Sequence, residues 1–176
     1  MPAGCRILSP CYGMQLRAGE EISGDTMTQR VPIDWDDLEM ALTMNMEEST
    51  CYLNLRTGKV EISVDSSLMG DDVGPSEEEI ETGLTDGYLI YIEPIESSVE
   101  YRWMAEFAES VDDPELRGKL DVALDGRGAF RRFKNVLADQ PAERERWFAF
   151  HSRRLREAMD EWLAHHDIKP TTTPPR

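Results

Sequence analysis

The stretch GRGAFRRFK at residues 126–134 sets two glycines, three arginines and a lysine into nine residues of a strongly acidic chain. Gly126 and Gly128 bracket Arg127 just ahead of a helical pattern. Backbone N–H groups of such a turn, with a helix N-terminus behind them, can cradle an anion. Arg127 and Arg131 would add charge-assisted bonds to a phosphate, a nucleic-acid backbone or a partner's carboxylate. The plainer reading is a tight helix–helix turn in which glycine permits close approach. The GxGA pattern lacks the Lys-Ser/Thr of a phosphate-binding loop and does not follow a strand. The candidate anion- or partner-binding residues are therefore Gly126, Arg127, Gly128, Arg131, Arg132 and Lys134, joined by Arg153 and Arg154 from a later helix.

Other residue types invite chemistry and find a simpler use. His151 falls on the apolar stripe of the last helix, where a satisfied, half-buried histidine is favoured over a ligand. His165 and His166 are adjacent, so on a helix they diverge by about 100° and make a poor metal pair. Asp34, Asp36 and Asp37 suit an N-cap and first turn better than a metal site. Cys51 has no histidine at a recognisable spacing. No GxSxG, HExxH, phosphate-binding loop or dinucleotide fingerprint occurs. The chain reads as non-enzymatic, with no cofactor and no metal, and a hydrolase with an unrecognised site is the third reading.

Charge is sharply divided along 176 residues of formal net charge -16. Residues 1–125 hold 8 Lys+Arg against 28 Asp+Glu, and residues 126–176 hold 11 against 7. Residues 126–156 alone carry nine basic and three acidic side chains. The bland reading makes this island a set of solvated helix faces or partners for the acidic half, each surface pair stabilising by about 0–1 kcal/mol. The sharper reading makes it a docking surface. Phe130, Phe133, Trp147 and Phe150 interleave with its basic residues, as on a single-strand-binding surface, with Phe150 expected to be the exposed one. The acidic half would repel nucleic acid, mimic it or bind a basic partner.

The elements that must position these residues follow from periodicity. Residues 1–30 show neither period and read as a flexible extension. Met27 opens MTQRVPIDWDD, which reads as a natural start that would leave out the first 26 residues. IDWDDLEMALTMN predicts a helix capped by Asp34, with Trp35, Leu38, Ala41 and Leu42 inward. CYLNLRTGKVEISVD switches to period two and predicts a hairpin turning at Gly58. Residues 66–87 read as an acidic solvated loop, with one short turn capped by Ser76 and Glu79. YLIYIEPI at 88–95 predicts a strand beside the hairpin, stopped by Pro94.

The remainder is helical. Trp103, Met104, Phe107, Ala108 and Val111 share one stripe. Pro114 opens a second helix that aligns Leu116, Leu120, Ala123 and Leu124. A third aligns Ala129, Phe130, Phe133, Val136 and Leu137. The fourth runs from about residue 142 to 165 with Phe148, His151, Leu155, Ala158, Met159, Trp162 and Leu163 as its stripe. Residues 167–176 read as a disordered tail.

Four blocks carry a resemblance: YLNLRTGKV, YIEPIESSVEYRWMAEFAESVDD, LDGRGAFRRFKNVL and ERWFAFHSRRLREAMDEWL. In order and spacing they resemble a bacterial group, uncharacterised protein family 0158, from about Ile33 to Leu163. Asn54 stands where that family is often acidic, and Phe148 where it is often tyrosine. The acidic loop and both tails fall outside the likeness. The resemblance implies a cytoplasmic bacterial protein; it supplies no mechanism and no catalytic residue to carry over.

The expected fold is α+β: one domain over residues 31–166, with a small three-stranded antiparallel sheet packed against a mainly helical C-terminal half, four helices lying on the sheet. No apolar run approaches the roughly 18 residues of a membrane span. No basic-then-apolar leader is visible, and the unpaired cysteine count suits a reducing cytoplasm. The expected function is a binding or regulatory module that docks an anionic ligand or partner protein on the basic helical surface; direct nucleic-acid binding is the alternative.

Overall fold

The computed structural model describes residues 28–44, 49–64 and 74–175. The readings of residues 1–27 and of the acidic loop up to residue 73 lie outside them. The chain begins with β1 (Gln29–Val31) and α1 (Trp35–Thr43), whose N-cap is Asp34: its carboxylate accepts from the Asp37 N–H at 3.3 Å. The hairpin follows as β2 (Ser49–Asn54) and β3 (Val60–Val64). At its turn Gly58 has φ +75, and a Cβ there would stand 2.0 Å from the Pro32 carbonyl oxygen. Asn54 organises the same turn, its side chain accepting from the Arg56 and Thr57 N–H groups and donating to Glu61.

Next come α2 (Glu77–Thr85) and β4 (Leu89–Ile92). The region expected to be a loop with one short turn holds a nine-residue helix. The Ser76–Glu79 capping box is present, and Ile80 and Gly83 give that helix a buried side. A Cβ on Gly83 would approach Leu89 Cδ1 to 2.4 Å, so α2 packs directly on β4. β4 pairs with β2, making an antiparallel sheet of order β3-β2-β4.

Four helices complete the C-terminal half: α3 (Ser97–Glu109), α4 (Pro114–Leu124), α5 (Ala129–Ala138) and α6 (Pro141–His165). The fold class is α+β, as expected. The packing differs from expectation because the helices do not all lie on the sheet. Trp103, Phe107, Leu120, Phe133, Leu137 and Trp147 form a helical core of their own. Leu38, Leu42, Leu53, Ile92, Met159 and Leu163 form a second core under the sheet. The helix α6, about 37 Å long at 1.5 Å per residue, runs through both.

This division explains a shift in the buried stripe of α6. Trp147 is 7% exposed and Phe148 is 52% exposed, the reverse of the expected register. The first half of the helix turns Trp147 and Phe150 toward α3 and α5, while the second half turns Met159 and Leu163 toward the sheet. One helix facing two neighbours in different directions cannot keep one straight stripe.

The short strand β5 (Ile168–Pro170) closes the chain by pairing parallel to β1. Both sequence boundaries, residue 30 for the extension and 167 for a disordered tail, thus fall inside paired backbone. Thr171 N–H donates to Val31 O at 2.9 Å, and the Thr172 hydroxyl to Ile33 O at 2.6 Å. The pairing was invisible in sequence because three residues are too few to show a period.

Candidate functional site

Gly126 and Gly128 adopt φ +76 and +78, and Gly128 is the N-cap of α5. A glycine has no side chain with which to cap, so no side-chain cap hydrogen bond is made. Positive φ is the physical demand that selects glycine at both positions. Open space surrounds each of them, so the close approach of another helix is not what selects them.

The basic residues divide by what they touch. Arg132 turns back to the end of α4, donating to the Ala123 carbonyl at 3.1 Å and to that of Asp125. Arg154 pairs with Glu106 of α3 and, at 3.0 Å, with Glu157, and its guanidinium lies 5.4 Å from the Phe150 ring centre. Arg153 stands 3.9 Å from Glu157 and 5.3 Å from the same ring. Phe150 itself is half-buried against Phe107 and Trp147, so it is not the exposed aromatic the sequence suggested.

Two further arginines close the end of α3. Arg117 donates twice to the Val111 carbonyl, at 2.9 and 2.7 Å, and Arg146 donates to the Ser110 carbonyl at 2.6 Å. A guanidinium is suited to such ends because it offers several donors and positive charge to unpaired carbonyls. Arg127, Arg131 and Lys134 are exposed and make no side-chain hydrogen bond or ion pair with the described residues.

Beside Arg132 lies a feature the sequence reading missed. An open groove of about 580 Å³ runs between α4 and α5, lined by Glu115 and its ion-pair partner Lys119 and by Val122, Ala123, Arg132, Asn135 and Val136. Val122 is 74% exposed. Gly118 on the same wall has empty space where a Cβ would be. The turn through Gly126, Arg127 and Gly128 joins the two helices at the Ala123–Arg132 end. Arg131 precedes Asn135 by one turn and so stands on the rim. Lys134 lies about 160° round the helix from Arg132 and points elsewhere. Val122 sits outside the core stripe of α4, and that off-stripe position was the available signal.

His151 is half-buried as expected, its Nε2 3.2 Å from Glu100 Oε1 and its ring against Trp103 and Trp147. His166 packs its ring on Trp162 at 4.5 Å; burial and the neighbouring His165 charge hold its pKa below the usual histidine value. No group of three or more His, Cys, Asp or Glu side chains able to hold a metal occurs among the described residues. None of the helices searched among them is long and apolar enough to cross a membrane.

The model of an uncharacterised protein family, UPF0158, matches residues 30–174, and the chain belongs to that family. The match exceeds the span read from the sequence blocks and takes in both the acidic loop and β5. A Pseudomonas aeruginosa protein carrying the same family designation is 28% identical over 139 residues, covering 79% of this chain and 87% of that protein. No solved structure matches.

Proposed function

We propose that this member of the UPF0158 family is a non-enzymatic docking module that holds an acidic segment of a partner protein in the α4–α5 groove. The observation that carries the reading is an apolar floor beside a turn that carries arginines unpaired among the described residues. Val122, Ala123 and Val136 offer the apolar contact; the Lys119–Glu115 pair and Arg132 line it, and Arg127 and Arg131 stand exposed at the adjoining α4–α5 turn. Apolar surface beside arginine is the composition of a protein-binding hot spot. The start of α5 has no side-chain cap hydrogen bond, so first-turn N–H groups would add donors for a carboxylate on the incoming segment. Arg132 stays bonded to α4 and shapes the groove, while Arg154 belongs to the α3–α6 contact and Arg153 pairs within α6.

The nucleic-acid reading draws less support. It needed stacked aromatics, and Phe133 and Trp147 are core residues. Of the nine basic residues in 126–156, Arg132, Arg146 and Arg154 already have intramolecular partners.

The test places a photo-crosslinking residue at position 122 in the full chain and irradiates living cells. A discrete protein adduct is expected. It disappears when Arg127→Glu/Arg131→Glu is combined with the crosslinker, or when Gly118→Leu fills the groove. The same crosslinker at position 134 captures nothing in common with it. An adduct indifferent to both changes would sink the proposal. Salt-sensitive binding of labelled single-stranded nucleic acid, lost in the charge-reversed variant, would put the alternative in its place.

A further inference from the structure

A second cleft, of about 480 Å³, lies at the opposite kind of surface, where the outer edge of β4 meets the C-terminal end of α6. Its walls include Tyr91, Glu93, Glu96, Trp162, His165 and His166. It is independent of the α4–α5 groove, sharing no residue with it.

Three observations bear on what would fit. The first is backbone. β4 is the edge of its sheet, with β2 on one side only. Leu55 N–H donates to Tyr88 O at 2.8 Å, which makes Leu55 with Tyr88, Leu53 with Ile90 and Cys51 with Ile92 the hydrogen-bonded pairs. Alternation then turns the N–H and C=O of Tyr91 away from β2. Edge groups of this kind are a template for another extended segment.

The second is aromatic. Tyr91 is 48% exposed, held edge-on by Tyr52 at 6.1 Å, and Trp162 is only half-buried. The Tyr91 ring lies with Tyr52 on one face of the sheet, whereas Ile90, Ile92 and Trp162 pack together on the other. The ring beside the cleft carboxylates is therefore Trp162, and it favours a planar cation, arginine above lysine.

The third is charge. Glu93 and Glu96 are exposed and form no ion pair with the described residues; among these residues the Glu96 carboxylate accepts only from the Ser98 hydroxyl, at 2.8 Å. Of the two histidines, burial keeps His166 in its neutral form at neutral pH, so it does not oppose a cation there.

We propose that this cleft binds an extended, arginine-bearing segment of a partner protein, which adds to the β4 edge at Tyr91 and places a guanidinium between Trp162 and the Glu93 and Glu96 carboxylates. Side chains two residues apart on such a segment share a face. One arginine therefore enters the cleft while the backbone pairs with Tyr91. The two surfaces would let one small protein hold an acidic and a basic partner at once.

The probe is a fluorescein-labelled peptide of eight residues alternating valine and arginine, titrated with the full chain and followed by anisotropy. Its control replaces arginine with citrulline, which keeps shape and loses charge. Binding of the arginine peptide is expected, at least tenfold tighter than the citrulline peptide. Glu93→Gln/Glu96→Gln should weaken it about tenfold, the size of one charge-assisted contact. Glu77→Gln/Glu78→Gln, which removes the same charge on α2, should leave it unchanged. N-methylation of alternate peptide amides should weaken it likewise.

Equal weakening by the two glutamate pairs would overturn the proposal in favour of general attraction to an acidic protein. Absence of binding up to millimolar peptide would overturn it outright. Indifference to N-methylation would remove the strand pairing on which it rests.

Discussion

A single arginine can serve the fold or a partner, and neighbours in sequence separate the two uses. Arg131 and Arg132 are adjacent, yet only Arg132 bonds to the end of α4. Arg132→Ala should cost about 1–2 kcal/mol, since carbonyls lose a charged donor, whereas Arg131→Ala should change stability by less than about 0.5 kcal/mol. Urea denaturation of both variants measures the contrast, and equal losses would contradict the geometry. His166 makes a pH prediction at the same scale. Its folded pKa lies below the unfolded value of 6.5, so below that pH the unfolded chain binds a proton that the folded chain resists. Its contribution is complete above 6.5 and declines as pH falls from there toward the depressed value. The urea midpoint should drop between pH 7.5 and 5.5, and the drop should be smaller in His166→Gln.

At the scale of elements, α6 and the β1–β5 pair decide the architecture. Because the first half of α6 faces the helical core, Trp147→Ala should cost about 3–5 kcal/mol. Phe148→Ser, one residue on and exposed, should cost less than about 1 kcal/mol. If the two losses were similar, the rotated stripe would be wrong. Ile168 is buried in the sheet core from a segment that reads as a tail. Ile168→Ala should cost about 2 kcal/mol or more, which thermal denaturation would detect as a lowered midpoint; a disordered tail would show no change.

For the whole molecule, two cores share one long helix, and that should make them unfold together. Trp35 and Trp162 report on the sheet core, Trp103 and Trp147 on the helical core. Variants that keep one pair and replace the other with phenylalanine should give coincident fluorescence transitions in urea, matching far-ultraviolet circular dichroism. Separate midpoints would show that α6 does not couple them. The same continuity puts the two candidate docking surfaces on one rigid path. The α4–α5 groove packs on the helical core, and the β4 cleft is built partly from the far end of α6.

Sequence by itself determined what a few neighbouring residues can decide. Asp34 and the Ser76–Glu79 box cap their helices as read, Gly58 turns the hairpin, and period two marks β2 and β3. It also marked Arg127 and Arg131 as unusual, because composition alone isolates GRGAFRRFK. Tertiary structure decided everything that depends on distant partners. The hydrogen bond from Thr172 to Ile33 spans 139 residues and that from Arg154 to Glu106 spans 48. No local pattern encodes either, because each forms only after the chain has paid the entropy of closing a long loop. The α4–α5 groove and the β4 cleft are of this kind: each is a gap between two elements, and a gap exists only once both walls are in place.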